Sequence, residues 1–290
     1  MKYKIIKKTI GVNNIITLKE FSIENKISDI CYVDEIGVIY ISDNYLGVIK
    51  SNGQHIEEWK GKKDEKGIKD GSCPTFSKLN SAIYMPDKKN IVLSDDYGKN
   101  IREINLDSNY TRTLLAKNTY KEWLCLNKNI SESKLIFAYD KLNKFFFIST
   151  ELKKCFYFNN NDITHVAGNG KCVMSFGNNL QCISIGVPNG ITYNNKTLII
   201  SDQLSGSLIG LCNNKSFLLH NNCYNNVLNC PSKLCSCKNI MYILCNNGIW
   251  TYSFLSNKIS QNPIYKSNNI KNMTIDQNNK SLYFLEQMEE

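Results

Sequence analysis

The chain has 290 residues, 42% of them hydrophobic, and a formal charge of +9 from 35 Lys and Arg against 26 Asp and Glu. That composition supplies a large core, and no apolar run reaches the roughly 18–20 residues a membrane span needs, so membrane insertion is not expected. Lysine outnumbers arginine 33 to two, Arg102 and Arg112, beside 40 Asn; the skew fits an AT-rich coding bias, and the positive charge alone does not indicate a nucleic-acid partner.

Residues 1–10 carry early lysines, but no 7–15-residue apolar stretch of a secretory signal follows them. A cytoplasmic protein is expected if Met1 is the native start, and a secreted one if the chain is cut from a longer precursor. Residues 4–18 read as two strands that belong to no complete repeat. From there a single unit recurs. Val38-Ile-Tyr-Ile-Ser-Asp43 returns as Ile91-Val-Leu-Ser-Asp95 and Thr197-Leu-Ile-Ile-Ser-Asp202, with weaker copies ending at Thr150, Asn246 and Glu286. The final polar positions are 43, 95, 150, 202, 246 and 286, which gives spacings of 52, 55, 52, 44 and 40.

The runs are 4–6 residues long, rich in Ile, Val, Tyr and Phe, and bounded by Asn, Asp, Gly and Lys, which is the pattern of strands and tight turns. In chain order the strands fall at 28–33, 38–43, 46–50 and 55–59, then at 82–85, 91–95, 100–105 and 111–115. The third copy reads 135–139, 145–150, 155–158 and 163–166; the fourth 190–193, 197–202, 207–211 and 216–219. The fifth reads 234–237, 241–246, 249–253 and a faint strand near Lys258, and the sixth stops after 272–275 and 282–286. No helix longer than two turns is expected. Four strands per 40–55 residues predicts an all-β, six-bladed β-propeller over residues 1–290. Its closing blade is assembled from residues 1–20 and 270–290, because pairing the first and last strands removes the free sheet edges of an open array.

Blade 2 carries Lys69-Asp-Gly-Ser-Cys-Pro-Thr-Phe76-Ser-Lys-Leu79, followed by Ile91-Val-Leu-Ser-Asp95-Asp-Tyr-Gly-Lys-Asn100-Ile-Arg-Glu-Ile104. These residues resemble the NHL repeat, and blade 4 keeps Gly168-Asn-Gly170, Pro188-Asn-Gly190-Ile191 and Ser201-Asp202 of the same pattern. The resemblance implies a propeller that binds partners.

The polar residues of the repeat point to turns more than to chemistry. Asp43, Asp95 and Asp202 end their strands, where a carboxylate accepts turn N–H groups. His55, His165 and His220 all map to outermost strands, so a central histidine site is not expected, and neither a cofactor nor a metal is expected. The chain has 12 Cys and no C-x2-C, and Cys235-Ser-Cys237 is too short for a zinc-ribbon knuckle, so a zinc ribbon is not expected. Cys31, Cys155, Cys235, Cys237 and Cys245 lie in strand runs as small hydrophobes. Cys172 with Cys182, and Cys223 with Cys230, are the pairs close enough to bridge local loops under oxidising conditions. Six Asn-x-Ser/Thr triplets, at Asn109, Asn129, Asn195, Asn214, Asn272 and Asn279, decide nothing in so Asn-rich a chain.

A non-enzymatic interaction domain is therefore expected, one that presents a loop face to a protein or peptide. The candidate binding residues are Lys62, Lys63, Lys66, Lys69, Lys117, Tyr120, Lys121, Trp123 and Lys171, on the long loops before blades 2, 3 and 4. The same lysines with interleaved aromatics leave RNA binding as an alternative, and a metal-dependent lactonase as a third reading.

Overall fold

A computed structural model describes residues 1–12, 14–116, 133–140, 145–159, 162–221, 227–276, 278 and 280–288. They form six four-stranded antiparallel sheets and one short 3-10 turn, Pro86–Lys88. The fold is a six-bladed β-propeller. Chain contacts divide it into two compact units, residues 1–135 with 271–290, and residues 136–270.

The first unit holds three blades. Blade 6 is the closing one. Strands β1 (Lys2–Thr9) and β2 (Ile15–Ser22) from the beginning of the chain join β23 (Ile270–Asp276) and β24 (Ser281–Gln287) from its end, in the order β2-β1-β24-β23. The seam is an antiparallel ladder from Tyr3 opposite Gln287 to Thr9 opposite Ser281. The closing blade thus runs two residues past the expected boundary at 20. Blade 1 consists of β3 (Ile27–Val33), β4 (Gly37–Ser42), β5 (Tyr45–Ile49) and β6 (His55–Gly61). Blade 2 consists of β7 (Ser81–Met85), β8 (Asn90–Asp95), β9 (Asn100–Asn105) and β10 (Tyr110–Leu115).

The second unit also holds three. Blade 3 is β11 (Leu135–Tyr139), β12 (Phe145–Ser149), β13 (Lys154–Asn159) and β14 (Asp162–Ala167). Blade 4 is β15 (Pro188–Asn194), β16 (Thr197–Asp202), β17 (Leu208–Cys212) and β18 (Lys215–His220). Blade 5 is β19 (Lys233–Cys237), β20 (Ile240–Cys245), β21 (Gly248–Ser253) and the two-residue β22 (Lys258–Ile259).

Why the recurring run is so apolar follows from its place. The middle strands β4, β5 and β8 are buried at every residue, whereas the outer strand β18 has only exposed and half-buried positions. Blades meet through shared apolar clusters. Ile30, Val38, Tyr40 and Ile49 pack on Tyr3, Ile5 and Leu285 between blades 6 and 1; Val48, Ile39 and Leu46 pack on Leu79, Ile91 and Leu93 between blades 1 and 2. In the second unit, Ile148 and Cys155 pack on Ile191, Ile200 and Ile209. Burying one such side chain contributes about 1.5–3 kcal/mol, so each interface supplies far more than any single hydrogen bond.

Local chemistry fixes the hairpins. The β17–β18 turn places Asn213 at φ 50° and Asn214 at φ 58°, the doubly left-handed geometry of a tight hairpin that Asn tolerates well. Opposite Tyr40 on the neighbouring strand stands Gly47, and a Cβ there would overlap the Tyr40 ring, which instead lies across the glycine and reaches His55 Nε2 at 2.7 Å.

Candidate partner-binding site

The loop between β6 and β7 is bolted down along its length. Asn44, buried at the β4–β5 turn, donates from Nδ2 to the carbonyls of Lys62, Lys63 and Glu65 at 2.7, 2.9 and 3.2 Å. Further on, Gly71 exchanges two backbone hydrogen bonds with Thr111, at 2.8 and 2.9 Å, and so covers the edge of outer strand β10.

At the centre of this loop lies Arg102, fully buried. Its Nη1 donates to the Thr75 carbonyl at 2.6 Å and to Asp95 Oδ2 at 3.0 Å, and its Nη2 to the Lys69 carbonyl at 2.6 Å and Asp70 Oδ1 at 2.9 Å. The guanidinium sits 4.8 Å from the centre of the Phe76 ring. Asp95 uses its other oxygen to accept from the amides of Ser77, Lys78 and Asp96. Asp70 in turn accepts from the Thr113 amide and hydroxyl. Sequence reasoning aligned this segment without seeing the arginine as its hub; the signal available was that both of the chain's arginines stand in the best-matched blade.

The lysines of the loop divide accordingly. Lys62, Lys66 and Lys69 project into solvent beside exposed Ile68, while Lys63 pairs with Glu24 at 2.7 Å. Lys60, not singled out by sequence, is 6% exposed and donates from Nζ to the carbonyls of Ser72 and Asn109; burial pushes its pKa down. Asp43 is ion-paired with Lys78, and its carbonyl accepts from the Leu79 amide.

The loop before blade 4 reaches a similar end by neutral means. Ser184 donates its hydroxyl to the Lys171 carbonyl, Asn169 Nδ2 donates to the Cys182 carbonyl at 2.8 Å, and Gly177 is paired with Ser216 on the edge of β18. Leu180, Ile183 and Ile185 anchor it in the core of blades 3 and 4. Asp202 accepts from the Val187 amide at 2.8 Å and from the Ser205 hydroxyl at 2.6 Å. Lys171 is exposed, as are Val173, Phe176 and, on the β16–β17 turn, Leu204; Val173 and Leu204 are 81% and 74% accessible.

Lys62, Lys63, Lys66 and Lys69 thus share one loop of the first unit, and Lys171 lies on a loop of the second. Lys117, Tyr120, Lys121, Trp123 and Cys223 lie outside the described residues. Cys172 and Cys182 are exposed and Cys230 is half-buried, none of the three disulfide-bonded. Cys155 and Cys245 are buried, and burial pushes the Cys245 thiol up to about 12. The three histidines lie on β6, β14 and β18; burial lowers the His55 pKa, and His165 Nε2 contacts the carbonyls of Ala167 and Gly168. Among the described residues no group of three or more His, Cys, Asp or Glu is placed to hold a metal, and no helix is long and apolar enough to cross a membrane.

No protein-family model matches the chain, and no curated protein matches it in sequence. Solved structures do match. A catalytically inactive virginiamycin B lyase from Staphylococcus aureus with quinupristin is 14% identical over 98% of this chain and 88% of its own, with a TM-score of 0.58. A nidogen/laminin complex chain is 11% identical over 98% of both, with a TM-score of 0.60. An auxiliary nutrient-binding protein from Bacteroides ovatus is 10% identical over 95% of this chain and 62% of its own, with a TM-score of 0.59. At these identities the likeness is one of fold, and the chain is similar in architecture to β-propellers with unlike roles.

Proposed function

We propose that the chain is an NHL-type propeller acting as a non-catalytic binding module, whose long loops hold a protein or peptide partner. The observation that carries this reading is that the loop backbones are tied down by hydrogen bonds yet leave apolar side chains in solvent: Val173, Phe176 and Leu204 around blade 4, and Ile68 among lysines before blade 2. Exposed apolar groups on a pre-ordered backbone favour binding, because little conformational entropy remains to be lost when a partner docks. Among the similar structures, the nidogen/laminin complex is itself an assembly of two proteins, which agrees with this use of the fold. The lysines add an electrostatic preference for an acidic partner segment.

The test is selection of peptides on the immobilised protein, followed by affinity measurement with Val173, Phe176 and Leu204 all replaced by Ser. The reading expects at least a tenfold loss of affinity with the urea midpoint unchanged. Undiminished binding by the triple variant removes it. A salt series with single-stranded RNA oligonucleotides addresses the alternative partner: affinity that falls steeply with log salt, and that depends on Lys62, Lys66 and Lys69, would replace the peptide reading with RNA.

A further inference from the structure

The strands of blade 1 run antiparallel, so the β3–β4 turn lies at the far end of the blade from Asp43 and the loop it supports. There, between blades 1 and 2 and wholly within the first unit, a cleft of about 310 Å³ opens to solvent. Ile36, Leu106, Pro86 and Tyr84 form apolar and aromatic walls, and Asp34, Glu35 and Asp107 supply carboxylates. The cation lining it, Lys89, is held by Asp107 at 3.0 Å, and Lys88 on the neighbouring 3-10 turn does not line the cleft. Lys89 also feels the charge of Glu35, yet the lining still holds three carboxylates against one cation.

The electrostatics agree with the geometry. Burial raises the Asp34 pKa, and the charged groups acting on it, Asp276 and Glu35, are both acidic; its hydrogen-bond donor is the neutral amide of Asn278 at 3.3 Å. Tyr84 is pushed up to about 12 by burial and by Asp34, Glu35, Asp107 and Asp87. In a protein of net charge +9 this is a local reversal of sign.

We propose that this cleft is a recognition pocket for the side chain of an arginine, or the similar lysine, on a protein partner. A guanidinium fits each part of it: the carboxylates of Asp34 and Glu35 pair with its N–H groups, the Tyr84 ring offers a face for its plane, and Ile36, Pro86 and Leu106 receive its methylenes. The site is separate from the loops of the proposed function, so either assignment fails alone.

The experiment is an NMR titration of the isotope-labelled protein with Nα-acetyl-arginine amide, and in parallel with its neutral isostere Nα-acetyl-citrulline amide. Saturable shifts at the amides of Asp34, Glu35, Ile36, Leu106 and Asp107 are expected, with a dissociation constant of roughly 1–10 mM for so small a probe. The citrulline compound should bind at least tenfold more weakly, as should the arginine compound to the Asp34→Asn, Glu35→Gln double variant. If that variant does not fold, Tyr84→Leu, which keeps an apolar wall, should lower affinity about threefold. Equal binding of the two compounds, shifts confined to other surfaces, or no saturable shift up to about 20 mM would each overturn the assignment.

Discussion

Blades 2 and 4 match the repeat pattern best, and they fasten their preceding loops by different physics. In blade 2 a fully buried guanidinium binds two carboxylates, two carbonyls and an aromatic ring, and Asp95 distributes the remaining negative charge over three amides. In blade 4 the corresponding Asp202 has one hydroxyl and several amides for partners, and Gly186 passes so close that a Cβ would stand 2.7 Å from its carboxylate. One backbone outcome common to the two blades, a turn held by an acidic side chain, therefore tolerates both a charged and a neutral solution. The charged one concentrates the risk: each member of a buried ion network is costly to leave without its partners.

The widest separation between the two should come from the hubs. Arg102→Met leaves Asp95 buried and uncompensated, and should destabilise by about 3–5 kcal/mol, against about 1–2 kcal/mol for Asp202→Asn, both read from urea unfolding midpoints. Equal losses would mean that blade 2 draws nothing special from its arginine.

Next come the apolar anchors. Phe76→Ala removes a fully buried ring and the face beneath Arg102, with an expected cost of about 3–5 kcal/mol, whereas Ile183→Ala in the blade 4 loop should cost about 2–4 kcal/mol. A double variant of Phe76 and Arg102 should then fall short of the sum of the singles, since they share one contact; strict additivity in that cycle would show the ring and the guanidinium to be independent.

A smaller contrast separates the glycines. Gly186 has φ +72° and meets the Asp202 carboxylate, while Gly71 has φ +130° and nothing within 4 Å of its absent Cβ. Both alanine variants carry backbone strain of about 1 kcal/mol, but only Gly186→Ala must also displace a side chain, so its melting temperature should drop about twice as far.

The smallest effect concerns local opening. Amide exchange at Ser77 and Lys78, tied to Asp95, should be slower by about tenfold than at Leu204, whose bond to Asp202 is long at 3.4 Å. Comparable protection would place the two turns on an equal footing.

The same contrast explains what could be read from the chain. The repeat was legible because Val38 to Asp43, Ile91 to Asp95 and Thr197 to Asp202 occupy middle strands buried on both faces, and burial on both faces leaves an uninterrupted apolar run. The pairing of β1 with β24 was legible from the count of strands at each end. The roles of Arg102 and Lys60 were not, since a buried cation and a solvated one are the same letter until the carbonyls of Thr75, Lys69, Ser72 and Asn109 are brought around them. The cleft at Tyr84 was also invisible, being assembled from residues 34–36, 84–89 and 106–107 that no local pattern connects.

The seam of the closing blade has a mechanical consequence. Met1 donates from its amino group to the Ile23 carbonyl, the Met288 amide donates to the Lys2 carbonyl, and Tyr3 stands opposite Gln287, so both ends of the chain leave the ladder at the same edge. Tension applied between residues 1 and 288 would therefore pull β1 from β24 one hydrogen bond at a time, like a zipper, instead of loading the whole row at once as in a shear geometry. In an optical trap the seam should part at low force, ahead of the other strand pairs of either unit, and the propeller would open where its chain begins and ends.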